Sequence, residues 1–409
     1  MTVLWVKVGG LWPPHTGGRL RTLHMISELS RRHAVVVLTT CEHGDDGESL
    51  NRYLALCNRV VAIPFTAPRR GQWRFLLSVA GALLSSLPVD LWKWRARGIR
   101  HAVARVLRSE QFDVIVSDFL VARANIPAHT ALPIVYFAHN VEHVIWRRLK
   151  DVATNPIHRM LLEIEWRKMR RVESRVCSSS TLTVAVSDTD RETLRAEARG
   201  APVVAVPTGV DTTYFAPSPS TGHKTTAIVF SGAMDWYPNE DAVWFFVERV
   251  LPLIRRDVPD ASFTVVGRRP SPRLQRLASS RGVCITGTVE DVRPYLAEAS
   301  VYVVPLRVGG GTRLKIFEAF AMAKPVVSTS IGAEGLEVVP GKHLEIADDP
   351  ETFSKAVVGL LCDGMRRRAL GCEARKLVEE KHSWDNVARV FERHLATAIA
   401  AARSPDARS

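Results

Sequence analysis

The chain lacks the features that mark several classes of protein. No two of its six cysteines have the Cys-x-x-Cys spacing of zinc sites and redox motifs, so we expect reduced thiols and no disulfide framework. No uncharged apolar run reaches the roughly 18–20 residues that cross a bilayer. The first residues also lack the basic-then-apolar order of a secretory signal. These absences predict a cytoplasmic protein without a membrane span or a zinc site.

Motifs for nucleotides and nucleic acids are missing as well. The sequence contains neither the G-x-G-x-x-G fingerprint of dinucleotide-binding folds nor the G-x-x-x-x-G-K-[ST] phosphate loop. Their absence speaks against a nicotinamide-dependent oxidoreductase. We keep that class of enzyme only as a less favoured alternative function. No helix-turn-helix or aromatic RNA-binding signature accompanies the positive charge, so we expect no nucleic-acid partner.

Charge is distributed unevenly along the chain, whose formal net charge is +13. Residues 1–210 hold 29 Lys and Arg against 18 Asp and Glu, whereas residues 211–409 hold 26 against 24. An excess confined to the first half favours an anionic partner there, such as a membrane surface or a phosphorylated substrate. An Arg-rich composition inherited from a GC-rich genome would give the same excess, and the sequence leaves both explanations open.

Short β-branched runs alternate with amphipathic stretches, which is typical of parallel sheets with crossover helices. The predicted strands are Val3–Val8, Ala34–Leu38, Val60–Ile63, Asp113–Val116, Ile134–Phe137, Thr181–Val186, Ala227–Phe230, Phe263–Val266, Val283–Ile285, Val301–Val304, Pro325–Ser328 and Leu344–Ile346. The predicted helices are the stretch after Gly17-Gly18, Pro156–Arg175, Asn239–Ile254, Arg273–Ser280, Arg313–Met322, Thr352–Leu361 and Trp384–Ala401.

A proline-rich segment, Val206–Ser220, separates the two series and is predicted to be a linker. We predict an α/β protein with a first domain over residues 1–205, a linker over 206–222, a second domain over 223–383, and a final helix and tail over 384–409. Both domains are expected to be doubly wound, Rossmann-like parallel sheets facing a central cleft. Ligands would then bind at the carboxyl ends of the strands.

A glycine-rich loop precedes one predicted helix of the second domain. The loop contains Gly309, Gly310, Gly311, Thr312 and Arg313. Glycines let a ligand approach the backbone, and the free N–H groups and positive dipole end of the helix suit a phosphate. Lys315 and Glu318 are three residues apart on one helix face, where a cation can neutralise phosphate and a carboxylate can accept hydrogen bonds from ribose hydroxyls. A plain turn before a helix with solvated charges is the alternative interpretation.

A second glycine turn lies near the start of the chain, where Gly17 and Gly18 precede an amphipathic stretch. This turn again places a helix N-terminus at the carboxyl edge of a sheet, in the other domain. Two such turns on opposite sides of a cleft would hold a diphosphate from both sides. Their pairing favours a binding site over two unrelated turns.

The chain is similar to the retaining nucleotide-sugar glycosyltransferases of GT-B fold in family 4, the group 1 glycosyl transferases. The similarity covers nearly the whole length and rests on eight segments. They are Pro14-His-Thr-Gly-Gly18, His139-Asn-Val-Glu142, Val206-Pro-Thr-Gly-Val-Asp211 with Phe215, Phe230-Ser-Gly232, Val266-Gly267, Thr286-Gly-Thr-Val-Glu-Asp291, Gly309–Lys315 and Phe317-Glu-Ala-Phe-Ala-Met-Ala-Lys-Pro325. The Trp236-Tyr-Pro-Asn239 segment and the Gly-Thr-Arg-Leu-Lys pattern resemble a branch that makes bacterial exopolysaccharides and related cell-surface glycans.

The resemblance implies roles for individual residues. Glu318 would bind the nucleotide ribose, and His139 would lie beside the donor sugar ring. Gly310 stands where many members have a second glutamate that contacts the donor sugar, so that contact would be absent or made by backbone N–H groups. The remaining predicted donor-binding residues are Gly17, Gly18, Gly232, Gly309, Gly311 and Thr312, with Gly267, Thr288 and Val289 around the nucleobase.

Many members hold the diphosphate with an Arg and a Lys after the first strand of the second domain. This chain has Met234-Asp-Trp-Tyr-Pro-Asn239 there, so we assign the missing positive charge to Arg313 or Lys315. With His139, these two are the predicted catalytic residues.

The resemblance also implies a front-face transfer that retains the anomeric configuration, from a nucleotide diphosphate sugar to a hydroxyl of a glycan or lipid-linked acceptor. The leaving diphosphate takes the acceptor's proton, so the reaction needs charge stabilisation more than a side-chain base, and neither a metal nor another cofactor. Asp188-Thr-Asp190 looks like a metal-binding D-x-D motif, but its place between a predicted strand and a helix favours an N-cap. A non-catalytic nucleotide-sugar-binding protein is the alternative that Gly310 keeps open.

One apolar stretch, Trp73–Leu87, has basic residues at both ends, with Arg69, Arg70 and Arg74 around its start and Lys93, Arg95 and Arg97 after its end. It is too short to span a bilayer but suits a segment that lies on anionic lipid. A core helix of the first domain explains the same pattern, and the sequence leaves both open. The lipid interpretation predicts a peripheral protein on the inner face of the membrane.

Overall fold

The computed structural model describes residues 1–12, 17–41, 47–68, 71–95, 97–127, 130–151, 153, 155–217, 226–279, 281–308 and 314–403. The chain divides into two compact units. Unit 1 comprises residues 1–207 and 387–409, and unit 2 comprises residues 208–386. Each has its own sheet.

Unit 1 contains a seven-stranded sheet in which every pairing is parallel. The strands are β1 (Thr2–Lys7), β2 (Ala34–Cys41), β3 (Arg59–Pro64), β4 (Val114–Asp118), β5 (Ile134–Phe137), β6 (Leu182–Ala185) and β7 (Val203–Ala205). Their spatial order is β3-β2-β1-β4-β5-β6-β7, so the chain reverses direction across the sheet between β1 and β4. Ligands of doubly wound folds bind at such a switch point.

Helices connect these strands. They are α1 (Gly17–Ser30), α2 (Gly47–Leu54), α3 (Trp73–Leu83), α4 (Val89–Lys93), α5 (Arg97–Ser109), α6 (Leu120–Arg123), α7 (Glu142–Asp151), α8 (Pro156–Ser179) and α9 (Asp188–Glu197). The central strands are buried on both faces, because crossover helices cover a parallel sheet from both sides.

Unit 2 repeats this architecture with six parallel strands in the order β10-β9-β8-β11-β12-β13. The strands are β8 (Ala227–Ser231), β9 (Ser262–Val266), β10 (Val283–Ile285), β11 (Val301–Val304), β12 (Val326–Ser328) and β13 (Glu345–Ile346). The helices are α10 (Tyr237–Phe245), a π-helical turn (Phe246–Val250), α11 (Leu251–Asp257), α12 (Pro272–Gln275), a 3-10 turn (Arg276–Ser279), α13 (Arg293–Glu298), α14 (Leu314–Ala321), α15 (Pro350–Cys362) and α16 (Gly364–Lys381). The last helix, α17 (Trp384–Arg403), begins in unit 2 and lies mostly in unit 1, which includes residues 387–409.

The predicted fold class is confirmed, since both sheets are parallel and each predicted strand is present with its ends shifted by a few residues at most. Strand β7 and several helices, among them α2, α5, α7 and α16, were not predicted. Strand β7 has only three residues. Helix α16 has a weak apolar stripe that includes Gly371 and Ala374. Small residues are needed there, because a Cβ atom on Gly371 would lie 2.1 Å from the carbonyl oxygen of Ala323.

The predicted N-cap of α9 is wrong by one residue. Ser187 caps the helix, and its hydroxyl accepts a hydrogen bond from the backbone N–H of Asp190 at 3.1 Å. Asp188 and Asp190 lie in the first turn, where negative charge favours the helix dipole. Among the described residues, no three His, Cys, Asp or Glu side chains form a group that could hold a metal ion.

Candidate functional site

The backbones at the carboxyl ends of β8 and β9 are in direct contact. Gly232 follows β8 and donates its N–H to the carbonyl of Val266 at 2.9 Å. A Cβ atom on Gly267, the residue after β9, would lie 1.7 Å from the carbonyl oxygen of Gly232. Only glycine fits at Gly267 without moving the backbone, so β8 and β9 are closely packed at this carboxyl edge of the sheet.

Lys315 of α14 reaches this edge. Its Nζ atom donates to Oδ1 of the buried Asn239 at 2.8 Å and lies 4.2 Å from the ring centroid of Phe230. A Cβ atom on Gly232 would lie only 2.7 Å from the same Nζ. The amide of Asn239 is itself held, since Nδ2 donates to the carbonyl of Ala233 at 2.8 Å. A positive charge is therefore fixed beside the glycine at the end of β8.

Glu318 lies one helical turn after Lys315 and is half-buried. Burial raises the pKa of its carboxyl group to about 7, and the charge of Lys315 acts in the opposite direction. Near neutral pH this carboxyl group therefore exists in both protonation states. Such a group binds hydroxyl donors most strongly when it is ionised.

The remaining predicted residues of unit 2 follow strands β10 and β11 along the chain. Thr288 is exposed and Val289 is half-buried against the core, both after β10. Gly309, Gly310, Gly311, Thr312 and Arg313 lie outside the described residues. The structure thus brings together Gly232, Gly267 and Lys315, and it adds Asn239, for which no role was predicted. A polar residue one turn into a helix that follows a glycine turn was the signal that could have identified it.

In unit 1 a buried charged cluster occupies the switch point. Lys7 and Asp118 are the last residues of β1 and β4 and lie opposite each other in the sheet. Asp118 Oδ1 lies 3.0 Å from Lys7 Nζ and 2.9 Å from His139 Nε2, and Oδ2 accepts from Trp5 and Thr22, both at 2.7 Å. This carboxylate was not predicted from the sequence, although a charged residue that ends an apolar strand is a recognisable signal.

The protonation of this cluster follows from its neighbours. Burial opposes ionisation of Asp118, but the charge of Lys7 and the hydrogen bonds from His139 and Thr22 hold its pKa below the ordinary carboxyl range. Burial also lowers the pKa of His139 to about 3, although Asp118 acts against it. A neutral His139 next to an ionised carboxylate carries its proton on Nε2. Its Nδ1 atom is then an acceptor, and it has no hydrogen-bond partner among the described residues.

The His139 ring packs closely against aromatic side chains. Its ring stacks on Phe119 with centroids 3.9 Å apart and planes 9° from parallel. Phe119 has φ 67° and ψ 160°, a backbone conformation that non-glycine residues rarely adopt. Gly18, the second residue of α1 after Gly17, makes room for this ring, because a Cβ atom there would lie 2.5 Å from Phe119 Cζ and 3.6 Å from His139 Nδ1. The structure therefore joins the two predicted residues Gly18 and His139.

Two family models match the chain. Residues 225–363 match the family model described as glycosyl transferases group 1, and residues 16–214 match that of glycosyltransferase family 4. A GDP-mannose-dependent alpha-(1-6)-phosphatidylinositol monomannoside mannosyltransferase of Mycolicibacterium smegmatis is 29% identical over 204 residues, which are 44% of this chain and 52% of that protein. The chain spans about half the length of the curated relatives it matches.

Solved structures resemble the chain over nearly its whole length. A sucrose-phosphate synthase from Thermosynechococcus elongatus has a TM-score of 0.71 at 16% identity and covers 98% of this chain and 100% of its own. The Anabaena protein HepE in complex with UDP has a TM-score of 0.66 at 13% identity, over 97% of this chain and 100% of its own. At these identities the likeness shows the GT-B fold. Because models of one glycosyltransferase group match residues in both units, the chain belongs to the group 1, family 4 glycosyltransferases.

Proposed function

We propose that the chain transfers a sugar from a nucleotide diphosphate sugar to a hydroxyl group, with retention of anomeric configuration. The observation that carries this proposal is the Lys315 ammonium group fixed beside Gly232, with Glu318 one turn further on. The cation suits the diphosphate, and the carboxylate suits the ribose hydroxyls of the same donor. Both residues lie within the range that matches the group 1 family model.

The chemistry follows from these residues. The bond between the anomeric carbon and the diphosphate oxygen breaks, the acceptor oxygen bonds to the same face of that carbon, and its proton passes to the diphosphate. Lys315 stabilises the negative charge that develops on the leaving group. His139 offers Nδ1 as an acceptor for a hydroxyl of the donor sugar. We propose no metal in this reaction.

The relatives suggest the class of acceptor. The name of the mycobacterial relative specifies GDP-mannose as donor and a phosphatidylinositol mannoside as acceptor, whereas the HepE structure holds UDP. We propose a lipid-linked or other cell-surface glycan as the acceptor, in exopolysaccharide or envelope synthesis at the inner face of the membrane. The donor base is a question for experiment.

A ligand panel tests the donor assignment first. A nucleotide that binds the folded state raises its melting temperature, so thermal shifts with GDP, UDP, ADP and TDP should single out one base. The matching nucleotide sugars are then incubated with phosphatidylinositol mannosides and with free glycans. We expect transfer in the presence of EDTA, and NMR should show the anomeric configuration of the donor in the product. Asp188→Asn is the control and should leave both binding and transfer unchanged.

A second candidate function rests on Gly310, which replaces a glutamate that contacts the donor sugar in many members of the family. A non-catalytic protein would bind the nucleotide sugar but neither transfer nor hydrolyse it. The two functions are distinguished by the same panel, since a clear thermal shift without any released nucleotide diphosphate would favour binding alone. Absence of any thermal shift would contradict both.

A further inference from the structure

Helix α3 turns its apolar side outward. Its inward side carries small residues, with Ser78 and Ala82 buried and Gly81 so close to Trp92 that a Cβ atom would lie 2.7 Å from that ring. The large apolar side chains lie on the opposite face of α3 and at the residue that follows it. They are Trp73, Leu76, Leu77, Leu83 and Leu84, with exposed fractions of 70%, 68%, 61%, 48% and 92%. The structure thus contradicts the interpretation of this segment as a core helix.

A second exposed stripe lies on the first turns of α8. Ile157, Met160, Leu161 and Ile164 follow the i, i+3, i+4, i+7 spacing of one helix face, and all four are exposed. Lys168 continues this face by one turn, and its Nζ atom donates to the carbonyl of Ala82 at the end of α3, at 2.7 Å. This hydrogen bond joins the end of α3 to the middle of α8 within unit 1.

The two chain segments that carry the stripes are rich in positive charge. Residues 66–100 hold seven Lys and Arg against one acidic residue, and residues 142–171 hold eight against four, so the two segments carry +10 of the net charge of +13. The single acidic residue of the first segment, Asp90, is paired with Lys93. Arg74 is exposed on α3, and the exposed Arg95 lies over the ring of Trp92, which packs beneath the same helix.

The exposed apolar stripes, taken together with the positive charge, indicate what kind of partner covers this surface. Two copies of the chain meeting through this face would bring like charges together, which opposes association. No helix among the described residues is long and apolar enough to cross a membrane. An anionic bilayer suits both the apolar and the charged side chains, because apolar stripes enter the interface while arginines contact lipid phosphates.

We propose that the exposed stripes of α3 and α8 dock unit 1 on an anionic phospholipid bilayer. The exposed Trp73 stands at the start of α3, and its indole suits the boundary between headgroups and acyl chains. The evidence for this docking surface does not depend on the proposed transfer reaction. It would place a lipid-linked acceptor close to unit 1.

Vesicle flotation tests the surface directly. The full chain is mixed with vesicles of phosphatidylcholine alone or of phosphatidylcholine and phosphatidylglycerol. We expect flotation only with the anionic vesicles, and release as salt rises, because charge attraction is screened over about 8–10 Å near physiological ionic strength. No nucleotide or acceptor is present, so the outcome is separate from that of the transfer assay.

Paired variants separate the apolar and charged contributions. Leu76→Gln with Leu77→Gln, and separately Met160→Gln with Leu161→Gln, should each weaken partition at least about tenfold, since each removes two inserted side chains. Arg74→Gln and Arg95→Gln should weaken it about fivefold each. Met365→Gln, which changes a 76% exposed side chain on α16 in unit 2, is the matched control and should not alter flotation. All these positions are exposed, so melting temperatures should stay close to that of the wild type.

Three results would overturn the proposal. The wild type could fail to float with anionic vesicles at low salt, or flotation could survive both apolar double variants. Sedimentation equilibrium without lipid provides the third check. A dimer that Leu76→Gln with Leu77→Gln disperses would identify a second copy of the chain, not lipid, as the occupant.

Discussion

The carboxylate of Asp118 lies 2.9 Å from Nε2 of His139 and 3.0 Å from Nζ of Lys7, so one buried group orients the histidine and balances the lysine. This dual role predicts the effect of removing its charge. Asp118→Asn leaves Lys7 buried beside a neutral amide, and breaking a buried pair in this way costs about 3–5 kcal/mol of unfolding free energy. Urea unfolding followed by circular dichroism measures the loss.

A second substitution separates the charge effect from the loss of hydrogen bonds. Adding Lys7→Met to Asp118→Asn removes the unpaired ammonium group, so the double variant should be more stable than Asp118→Asn alone. Transfer should be impaired in the double variant, because the amide oxygen accepts from Trp5 and its N–H then donates to Nε2 of His139. The proton of His139 moves to Nδ1, which removes the acceptor there. Simple additivity of the two stability changes would contradict this account.

Nucleotide affinity should depend on pH through Glu318. The pKa of this carboxyl group is raised to about 7, so lowering the pH through 7 protonates it and weakens its hydrogen bonds with ribose hydroxyls. We expect affinity measured by calorimetry to fall with decreasing pH for the wild type and to vary much less for Glu318→Gln. Glu318→Ala should weaken binding by about 1–3 kcal/mol at higher pH.

The exposed Glu298 at the end of α13 offers a matched control. Glu298→Gln removes one carboxylate from the same unit and should keep the affinity and the pH dependence of the wild type. An affinity unchanged by Glu318→Ala would rule out contact between this carboxylate and the ribose.

Lys315→Ala should slow transfer more than it destabilises the fold. Removing one group that stabilises developing charge costs about 10²–10³ in turnover. Loss of the hydrogen bond to Asn239 and of the contact with Phe230 costs about 1–2 kcal/mol of unfolding free energy. Steady-state kinetics and denaturant unfolding on the same preparation separate the two effects.

Two further lysine and arginine variants serve as comparisons. Lys355→Ala, at an exposed position of α15, should change neither turnover nor stability. Arg313→Ala tests the other cation near the glycine-rich loop. If neither Lys315→Ala nor Arg313→Ala slows transfer, these residues do not supply the charge that other family members place after the first strand of the second domain.

Gly18→Ala should destabilise unit 1 and disturb His139. The added methyl group would lie 2.5 Å from the Phe119 ring, and overpacking of this kind costs about 1–3 kcal/mol. The same variant should slow transfer, because Phe119 stacks on His139. Gly98→Ala is the control, since among the described residues its methyl group meets only Ile63, at 3.9 Å, and favours the helix by up to about 1 kcal/mol. If Gly18→Ala were as stable as the wild type, the Phe119 ring would be free to move away from the methyl group, and the prediction would be wrong.

The sequence by itself determined the elements and their class. Runs such as Ile134–Phe137 and Val301–Val304 consist of β-branched and aromatic residues, and both are strands with the predicted bounds. Their alternation with helices requires parallel sheets, because a crossover helix returns the chain to the same edge. The spacing of Lys315 and Glu318 on one helix face also follows from local geometry alone.

Only the tertiary structure decided which side chains meet. Lys7 and Asp118 are 111 residues apart, and Asn239 and Lys315 are 76 apart, so their contacts depend on strand order and helix packing. No periodicity in a single sequence encodes that order. The sequence also left open whether α3 is a core helix or an exposed one, for a related reason. Apolar composition is a property of the segment, whereas burial depends on its neighbours, and here Trp92 packs against the small-residue side of α3 and leaves Leu76 and Leu77 at the surface.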